Sequence, residues 1–136
     1  MSRPDDDAWA LGIAKEVATK GECRRSKVGA VLIDFRGRLR GAGYNGVAPK
    51  EASCLQGACP RGLLSYEEQP AGGSYANCKA VHAEENLLFN SESADQVGGT
   101  VYVTRSPCEG CERRLRIAGV SRVVWLDEGG KKELSL

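Results

Sequence analysis

One histidine and one pair of cysteines carry the most specific chemistry in this sequence. His82 precedes Glu84 by two residues, and Cys108 and Cys111 stand in a Pro-Cys-x-x-Cys arrangement further along the chain. One imidazole and two thiolates leave one position of a tetrahedral zinc ion free, which is typical of a catalytic zinc site. Zinc lowers the pKa of a bound water to about 7, so hydroxide becomes available at neutral pH. The pattern therefore predicts a zinc-dependent hydrolytic enzyme.

Glu84 is predicted to move protons and not to bind the metal. It is too close in sequence to His82 to ligate the same ion comfortably, yet it can reach the open position. We expect it to take a proton from water, deliver it to a ring nitrogen and protonate a departing amine, in a pocket that raises its pKa. The order His-x-Glu, then Pro-Cys-x-x-Cys, is a signature of zinc deaminases. The alternative is a closed structural zinc site in which a further cysteine is the fourth ligand.

The composition sets limits on the class of protein. The 136 residues fit one domain, which we expect to span 1–136, and 41% hydrophobic with 27% charged residues is typical of soluble globular proteins. A formal net charge of +1 and 6% aromatic residues do not favour a groove for long nucleic acid. The N-terminus lacks an apolar run suited to a signal peptide or membrane span, so we expect a cytoplasmic protein with reduced cysteines.

The first part of the chain predicts a helix followed by a β-hairpin. Acidic residues at 5–7 suit a helix N-terminus, apolar residues then recur at helical spacing, and Gly21 is a plausible stop. An apolar run over 28–33, a turn at 34–37 and a second extended stretch towards Tyr44 indicate the hairpin.

The second part predicts elements that place the chemical residues at helix ends. In order, these are a helix over 78–90, a strand over 100–104, a helix over 111–118, a strand over 121–126 and a short edge strand in the tail. His82 and Glu84 fall in the first turn of the first helix. Strand, helix and strand with short links form a right-handed crossover, so 101–103 and 123–125 should pair in parallel.

The sequence at this point resembles the cytidine deaminase superfamily and, within it, the deoxycytidylate (dCMP) deaminase family. The matching segments are KVGAV at 27–31, GAGYNG at 41–46 followed by Pro49, HAEEN at 82–86, TVYVT at 100–104, SPCEGC at 106–111 and AGVSRVV at 118–124. The resemblance implies an α/β fold, a three-layer α/β/α sandwich around a mixed, mainly parallel sheet of about five strands. It also implies zinc held by His82, Cys108 and Cys111, Glu84 as proton shuttle, and conversion of dCMP to dUMP and ammonia.

The resemblance also suggests residues that bind the substrate. Asn45 would hydrogen-bond the base or sugar of the nucleotide, although Asn before Gly is also a common turn pair. The backbone of Ala83 would face the base. Four basic residues are candidates for holding a 5′-phosphate, and each of them alone could equally be a solvated surface charge. These are Arg24, Arg25, Lys27 and Arg105.

A cysteine-rich insertion at about 47–78 separates the hairpin from the second part of the chain. Its Gly, Pro, Cys and polar residues show no sustained period. Four cysteines suffice for a closed structural zinc site, which some members of the dCMP deaminase family carry in this region, and buried free thiols are the alternative. These four are Cys23, Cys54, Cys59 and Cys78.

Several alternatives in function stay open on the sequence alone. The same zinc signature could act on another cytosine nucleoside, a modified base, or a base in single-stranded DNA or tRNA. A non-catalytic, zinc-stabilised binding module is the alternative from a different class. The resemblance further implies a small pyrimidine nucleotide as ligand, self-association from dimer to hexamer, and a response to dCTP and dTTP.

Overall fold

A five-stranded sheet organises the residues described by the computed structural model, which are 2–22, 26–46 and 81–136. The strands are β1 (Gly29–Ile33), β2 (Leu39–Tyr44), β3 (Thr100–Val103), β4 (Arg122–Asp127) and β5 (Gly130–Ser135), arranged in the order β2-β1-β3-β4-β5. The helices are α1 (Asp6–Ala18), α2 (Ala83–Phe89), α3 (Ser93–Gln96) and α4 (Glu109–Ala118). The insertion at about 47–78 lies outside the described residues.

The strand directions confirm a mixed sheet but correct one expectation. β3 and β4 are parallel, with Val101 opposite Val123 and Val103 opposite Trp125, as predicted. The other three pairings, β1 with β2, β1 with β3 and β4 with β5, are antiparallel. The expectation of a mainly parallel sheet is therefore wrong. Two of these pairings follow from the short turns that join β1 to β2 and β4 to β5, because a short turn allows only antiparallel strands.

Helices cover both faces of the sheet, which confirms the three-layer architecture. On one face, Leu11 and Ala14 of α1 pack with Val31, Tyr102 and Val124 of the sheet. On the other face, α2 and α4 pack against the alternate side chains of the same strands. The buried residues of this second cluster are Val28, Ala30, Leu32, Ala83, Leu87, Val101, Val103, Leu115, Val120 and Val123. Because β1 is covered on both faces, all five of its residues are buried, which explains its unbroken apolar sequence.

The helix ends follow local sequence signals. Asp5 caps α1, because its side chain accepts a hydrogen bond of 2.7 Å from the Ala8 amide. The helix ends at Ala18, three residues before the predicted stop at Gly21. Gly119 ends α4 in the left-handed conformation, with φ of 91°, which favours glycine. Within the described residues, none of the helices is both long enough and apolar enough to cross a membrane.

Candidate metal and catalytic site

The N-termini of α2 and α4 meet at the predicted metal ligands. His82 is the N-cap residue of α2, Cys108 is the N-cap residue of α4, and Cys111 lies in the first turn of α4. His82 Nδ1 lies 3.2 Å from Cys111 Sγ and 3.6 Å from Cys108 Sγ. The ligand atoms of all three side chains lie within 4.8 Å of one another. The predicted convergence of these residues is confirmed.

The spacing of these atoms fits a zinc ion. A tetrahedral ion bound to sulfur at about 2.3 Å and to nitrogen at about 2.0–2.1 Å places the two ligand atoms about 3.5 Å apart. The two measured nitrogen-to-sulfur distances lie on either side of that value. In residues 2–22, 26–46 and 81–136, no further His, Cys, Asp or Glu joins the group. The proposed second-site ligands, Cys23, Cys54, Cys59 and Cys78, all lie outside the described residues.

The two sulfur atoms have different surroundings. The Cys111 amide donates a hydrogen bond of 3.3 Å to Cys108 Sγ, so the positive end of α4 faces that sulfur. Cys111 itself is fully buried, and burial, followed by the nearby charge of Glu84, raises the pKa of its thiol far above the ordinary value. A divalent metal ion bound beside it would supply positive charge that favours the thiolate form of Cys111.

Glu84 is buried beside the metal ligands. It is in the first turn of α2 and only 4% exposed. Burial raises the pKa of its carboxyl, and this effect outweighs the stabilising contributions of its own backbone amide, His82, Cys111 and Arg105. A buried carboxyl with a raised pKa is suited to exchanging protons near neutral pH.

Asn45 holds the backbone at the open end of the β1–β2 hairpin, opposite its turn. It follows the last residue of β2 and is buried. Its Oδ1 accepts a hydrogen bond of 2.9 Å from the Val28 amide, and its Nδ2 donates one of 2.6 Å to the Ser26 carbonyl. These bonds use one lone pair and one N–H of the side-chain amide. The Asn45 side chain thus holds the segment that leads into β1. A residue that served only to form the turn before Gly46 would not need these two bonds.

The other residues predicted to bind substrate lie in different parts of the structure. Ala83 is buried directly between His82 and Glu84. Arg105 follows β3, with Nη1 3.4 Å from Ser26 Oγ, and its charge acts on Glu84. The ammonium of Lys27 lies 3.5 Å from the Thr19 carbonyl, at the C-terminal end of α1. Arg24 and Arg25 lie outside the described residues.

Asn86 also contributes to the site, although its role was not predicted from the sequence. Its Nδ2 donates a hydrogen bond of 2.8 Å to the Tyr44 carbonyl, so it links α2 to the end of β2. The signal available was its spacing, since a residue four positions after His82 lies on the same face of a helix.

The sequence profile of the family described as "Cytidine and deoxycytidylate deaminase zinc-binding region" matches residues 4–127. The chain belongs to this family. Membership in a zinc-binding deaminase family, together with the convergence of His82, Cys108 and Cys111, confirms the prediction of a zinc site.

Named relatives in this deaminase family match most of the chain. A deoxycytidylate deaminase of Mycobacterium phage D29 is 44% identical over 132 residues, covering 94% of this chain and 99% of the relative. A deoxycytidylate deaminase of Saccharomyces cerevisiae is 30% identical over 127 residues, covering 92% of this chain but only 38% of the relative. The crystal structure of a dCMP deaminase from cyanophage S-TIM5 in complex with dCMP and dUMP has the same fold. Its TM-score is 0.67 at 24% identity, with 92% of this chain and 83% of that chain covered.

Proposed function

We propose that this chain hydrolyses dCMP to dUMP and ammonia. The observation that carries the proposal is the buried carboxyl of Glu84, two residues after a metal ligand, beside a group of three zinc ligands. Three protein ligands leave a position for water, which distinguishes a catalytic from a structural zinc ion. The dCMP deaminase names of the phage and yeast relatives support the choice of substrate.

Glu84 carries out the proton transfers of this reaction. His82, Cys108 and Cys111 would hold a zinc ion, which when bound would acidify a water molecule at neutral pH. Glu84 would accept a proton from the attacking water, whose oxygen adds to C4 of the cytosine ring, and would deliver that proton to N3. It then transfers the second proton of the water oxygen to the exocyclic amine, which leaves as ammonia. Burial of Glu84 supports this role, because a raised pKa lets one carboxyl both accept and donate protons.

We further propose which residues hold the substrate. We assign the base or sugar to the side chain of Asn45 and the face of the base to the backbone of Ala83. Arg105, Lys27 and Arg25 are proposed to hold the 5′-phosphate, and Arg105 has the strongest support because its charge already acts on Glu84. A second, structural zinc ion held by the four cysteines Cys23, Cys54, Cys59 and Cys78 stays part of the proposal.

The proposal also includes a cytoplasmic location and self-association of the chain. The free thiols of Cys108 and Cys111 suit a reducing compartment, which supports a cytoplasmic location. Self-association is supported by large apolar side chains that face solvent on the α2 and α4 layer, namely Phe89 at 76% and Ile117 at 87% exposure. Sedimentation of the purified zinc protein would give its oligomeric state.

Ammonia release is the decisive experiment. The purified zinc protein would be incubated with dCMP, deoxycytidine, dAMP and a short cytosine-containing oligonucleotide. We expect turnover of dCMP well above the others. A preference for deoxycytidine or for the oligonucleotide would instead support one of the alternative substrates.

Substitution of the proposed proton shuttle separates an enzyme from a zinc-stabilised binding module. Glu84→Gln should retain zinc and lose about 100- to 10,000-fold in turnover, the range that general acid–base catalysis contributes. The matched control is Glu85→Gln, the next residue, whose carboxylate lies 3.6 Å from Arg114 at the surface and should be dispensable. Absence of turnover in the wild-type zinc protein with all four compounds would overturn the proposal.

A further inference from the structure

The side chain of Asn86 connects three backbone segments next to the metal ligands. Its Nδ2 donates to the Tyr44 carbonyl at 2.8 Å and lies 3.4 Å from the Val81 carbonyl and 3.5 Å from the Gly46 carbonyl. The Nδ2 atom carries two hydrogens, so it can serve the end of β2 and the segment before α2 together. The Asn86 backbone amide also donates to the His82 carbonyl at 3.0 Å, as the first full turn of α2 requires.

A short backbone bridge closes the same junction. The Gly46 amide donates to the Val81 carbonyl at 3.1 Å, and the Val81 amide donates to the Gly46 carbonyl at 2.7 Å. Val81 immediately precedes the metal ligand His82. Asn86 and this bridge therefore hold the residues on both sides of Asn45 against the start of the helix that carries His82 and Glu84.

The strand and the helix are also in direct backbone contact one residue before Tyr44. A Cβ placed on Gly43 would collide with the Leu87 amide nitrogen and lie 2.6 Å from the Ala83 carbonyl oxygen. Such an approach is open only to glycine. Because no side chain intervenes, a shift of β2 would pass directly to Ala83 and its neighbour Glu84.

We infer that Asn86 is a positioning residue, which sets the distance between the Asn45 end of β2 and the Glu84 end of α2. This inference rests on the proposed function, in which the cytosine ring lies between those two ends. The Nδ2 atom of Asn86 faces backbone carbonyls. It acts by fixing two backbone segments, so that the ring bound by one is in line for proton transfer with the carboxyl on the other.

The chain contains a matched control one helical turn away. Asn90 follows α2, and its Nδ2 donates to the Ala42 carbonyl of the same strand at 3.3 Å, in an exposed position. It joins the same two elements through the same kind of bond, but at the end remote from His82. A comparison of Asn86→Ala with Asn90→Ala therefore separates general strand-to-helix attachment from positioning at the site.

The test is steady-state kinetics with dCMP on the zinc-loaded wild type, Asn86→Ala, Asn86→Asp and Asn90→Ala, with zinc per chain and Tm measured for each. We expect Asn86→Ala to lose about 10- to 100-fold in kcat, the range typical of residues that support a metal site from behind, with zinc retained. Asn86→Asp has nearly the same shape but no N–H to donate, so it should lose as much. A packing role alone would leave Asn86→Asp active, and Asn90→Ala should keep kcat within about twofold of the wild type.

Three outcomes would overturn the inference. The first is kcat near the wild-type value in Asn86→Ala. The second is loss of activity in proportion to loss of zinc or of folded protein, which would make Asn86 a structural residue. The third is an equal loss in Asn90→Ala. Failure of the wild type to deaminate dCMP in the same assay would overturn the proposed function instead, so the two failures are distinguishable.

Discussion

Asp7 at the start of α1 forms a bidentate ion pair with Arg122 of β4, although the two residues are 115 positions apart in the sequence. The distances are 2.8 Å from Oδ2 to Nη2 and 3.1 Å from Oδ1 to Nη1. Tyr102 also donates its hydroxyl to Asp7 at 2.6 Å, and Lys131 donates at 2.9 Å. One carboxylate thus fastens the first helix to three neighbouring strands of the sheet.

This contact makes the stability of the fold depend on pH. Arg122, then Tyr102 and Lys131, hold the pKa of Asp7 well below its ordinary value of 3.8. The stabilisation is therefore present in full above that ordinary pKa and is lost gradually as the pH falls from there through the much lower pKa of the folded state. We expect Asp7→Asn to reduce the free energy of unfolding at pH 7 by about 1–3 kcal/mol and to matter progressively less below about pH 4.

Urea unfolding at pH 7 and pH 3 checks this prediction. The matched control is Asp6→Asn, because Asp6 is the exposed neighbour in the same first turn of α1. A variant that is as destabilised at pH 3 as at pH 7 would contradict the assignment of the effect to the charge of Asp7.

Gly43 and Gly12 should respond in opposite directions to the same substitution. Gly43→Ala drives a Cβ into the backbone of α2, so we expect a loss of about 1–3 kcal/mol in stability and a fall in activity. Gly12 lies within α1, where an added Cβ would meet no atom within 4 Å, so Gly12→Ala should stabilise by about 0.5–1 kcal/mol. Thermal unfolding of both variants gives the comparison, and equal shifts would show that β2 does not approach α2 so closely.

Loss of a zinc ligand should weaken zinc binding while the protein stays folded. Cys108→Ser removes a sulfur from an exposed position at the N-cap of α4, and serine is itself a good cap. We expect zinc affinity to fall at least about 10-fold while the far-ultraviolet circular dichroism persists. Ser106→Ala, two residues earlier and exposed, is the control. Full zinc affinity at the catalytic site of Cys108→Ser, measured by competition with a chelator, would argue against ligation by this sulfur.

Arg105 should distinguish a nucleotide from a nucleoside. If its guanidinium holds the 5′-phosphate, Arg105→Ala should lower kcat/KM for dCMP by about 10- to 100-fold and leave that for deoxycytidine nearly unchanged. Arg116→Ala on α4, whose partner is Glu112 at 2.8 Å, serves as the control for a general loss of positive charge. Equal losses on both substrates would assign Arg105 to the site as a whole and not to the phosphate.

Local sequence patterns predicted those parts of the fold that depend on neighbouring residues. The alternation of strand, helix and strand predicted the parallel pairing of Val101 with Val123, and the Cys-x-x-Cys spacing predicted two sulfurs at one helix end. The antiparallel contact of β1 with β3, such as Val31 opposite Tyr102, was not predicted. An apolar strand buried on both faces carries no signal about the direction of its neighbour.

The long-range contacts that support the site and the sheet were also not predictable from the sequence. The bond from Asn86 to Tyr44 joins residues 42 positions apart, and the pair of Asp7 and Arg122 is more distant still. Polar residues of this kind resemble ordinary helix-surface residues in sequence, because periodicity shows which face is buried and not which carbonyl lies opposite. The same limit applies to the pKa of Cys111, which depends on burial that only the packed structure reveals.

The outer strand β5 bears on how the protein avoids aggregation. Within residues 2–22, 26–46 and 81–136 it pairs with β4 on one side only, so its other side is an edge at which a further strand could pair. Lys131, Lys132 and Glu133 are all exposed along it. A strand that docked there would have to desolvate successive charges, which disfavours fibril growth from this border and leaves the helical surfaces as the more favourable place for chains to meet.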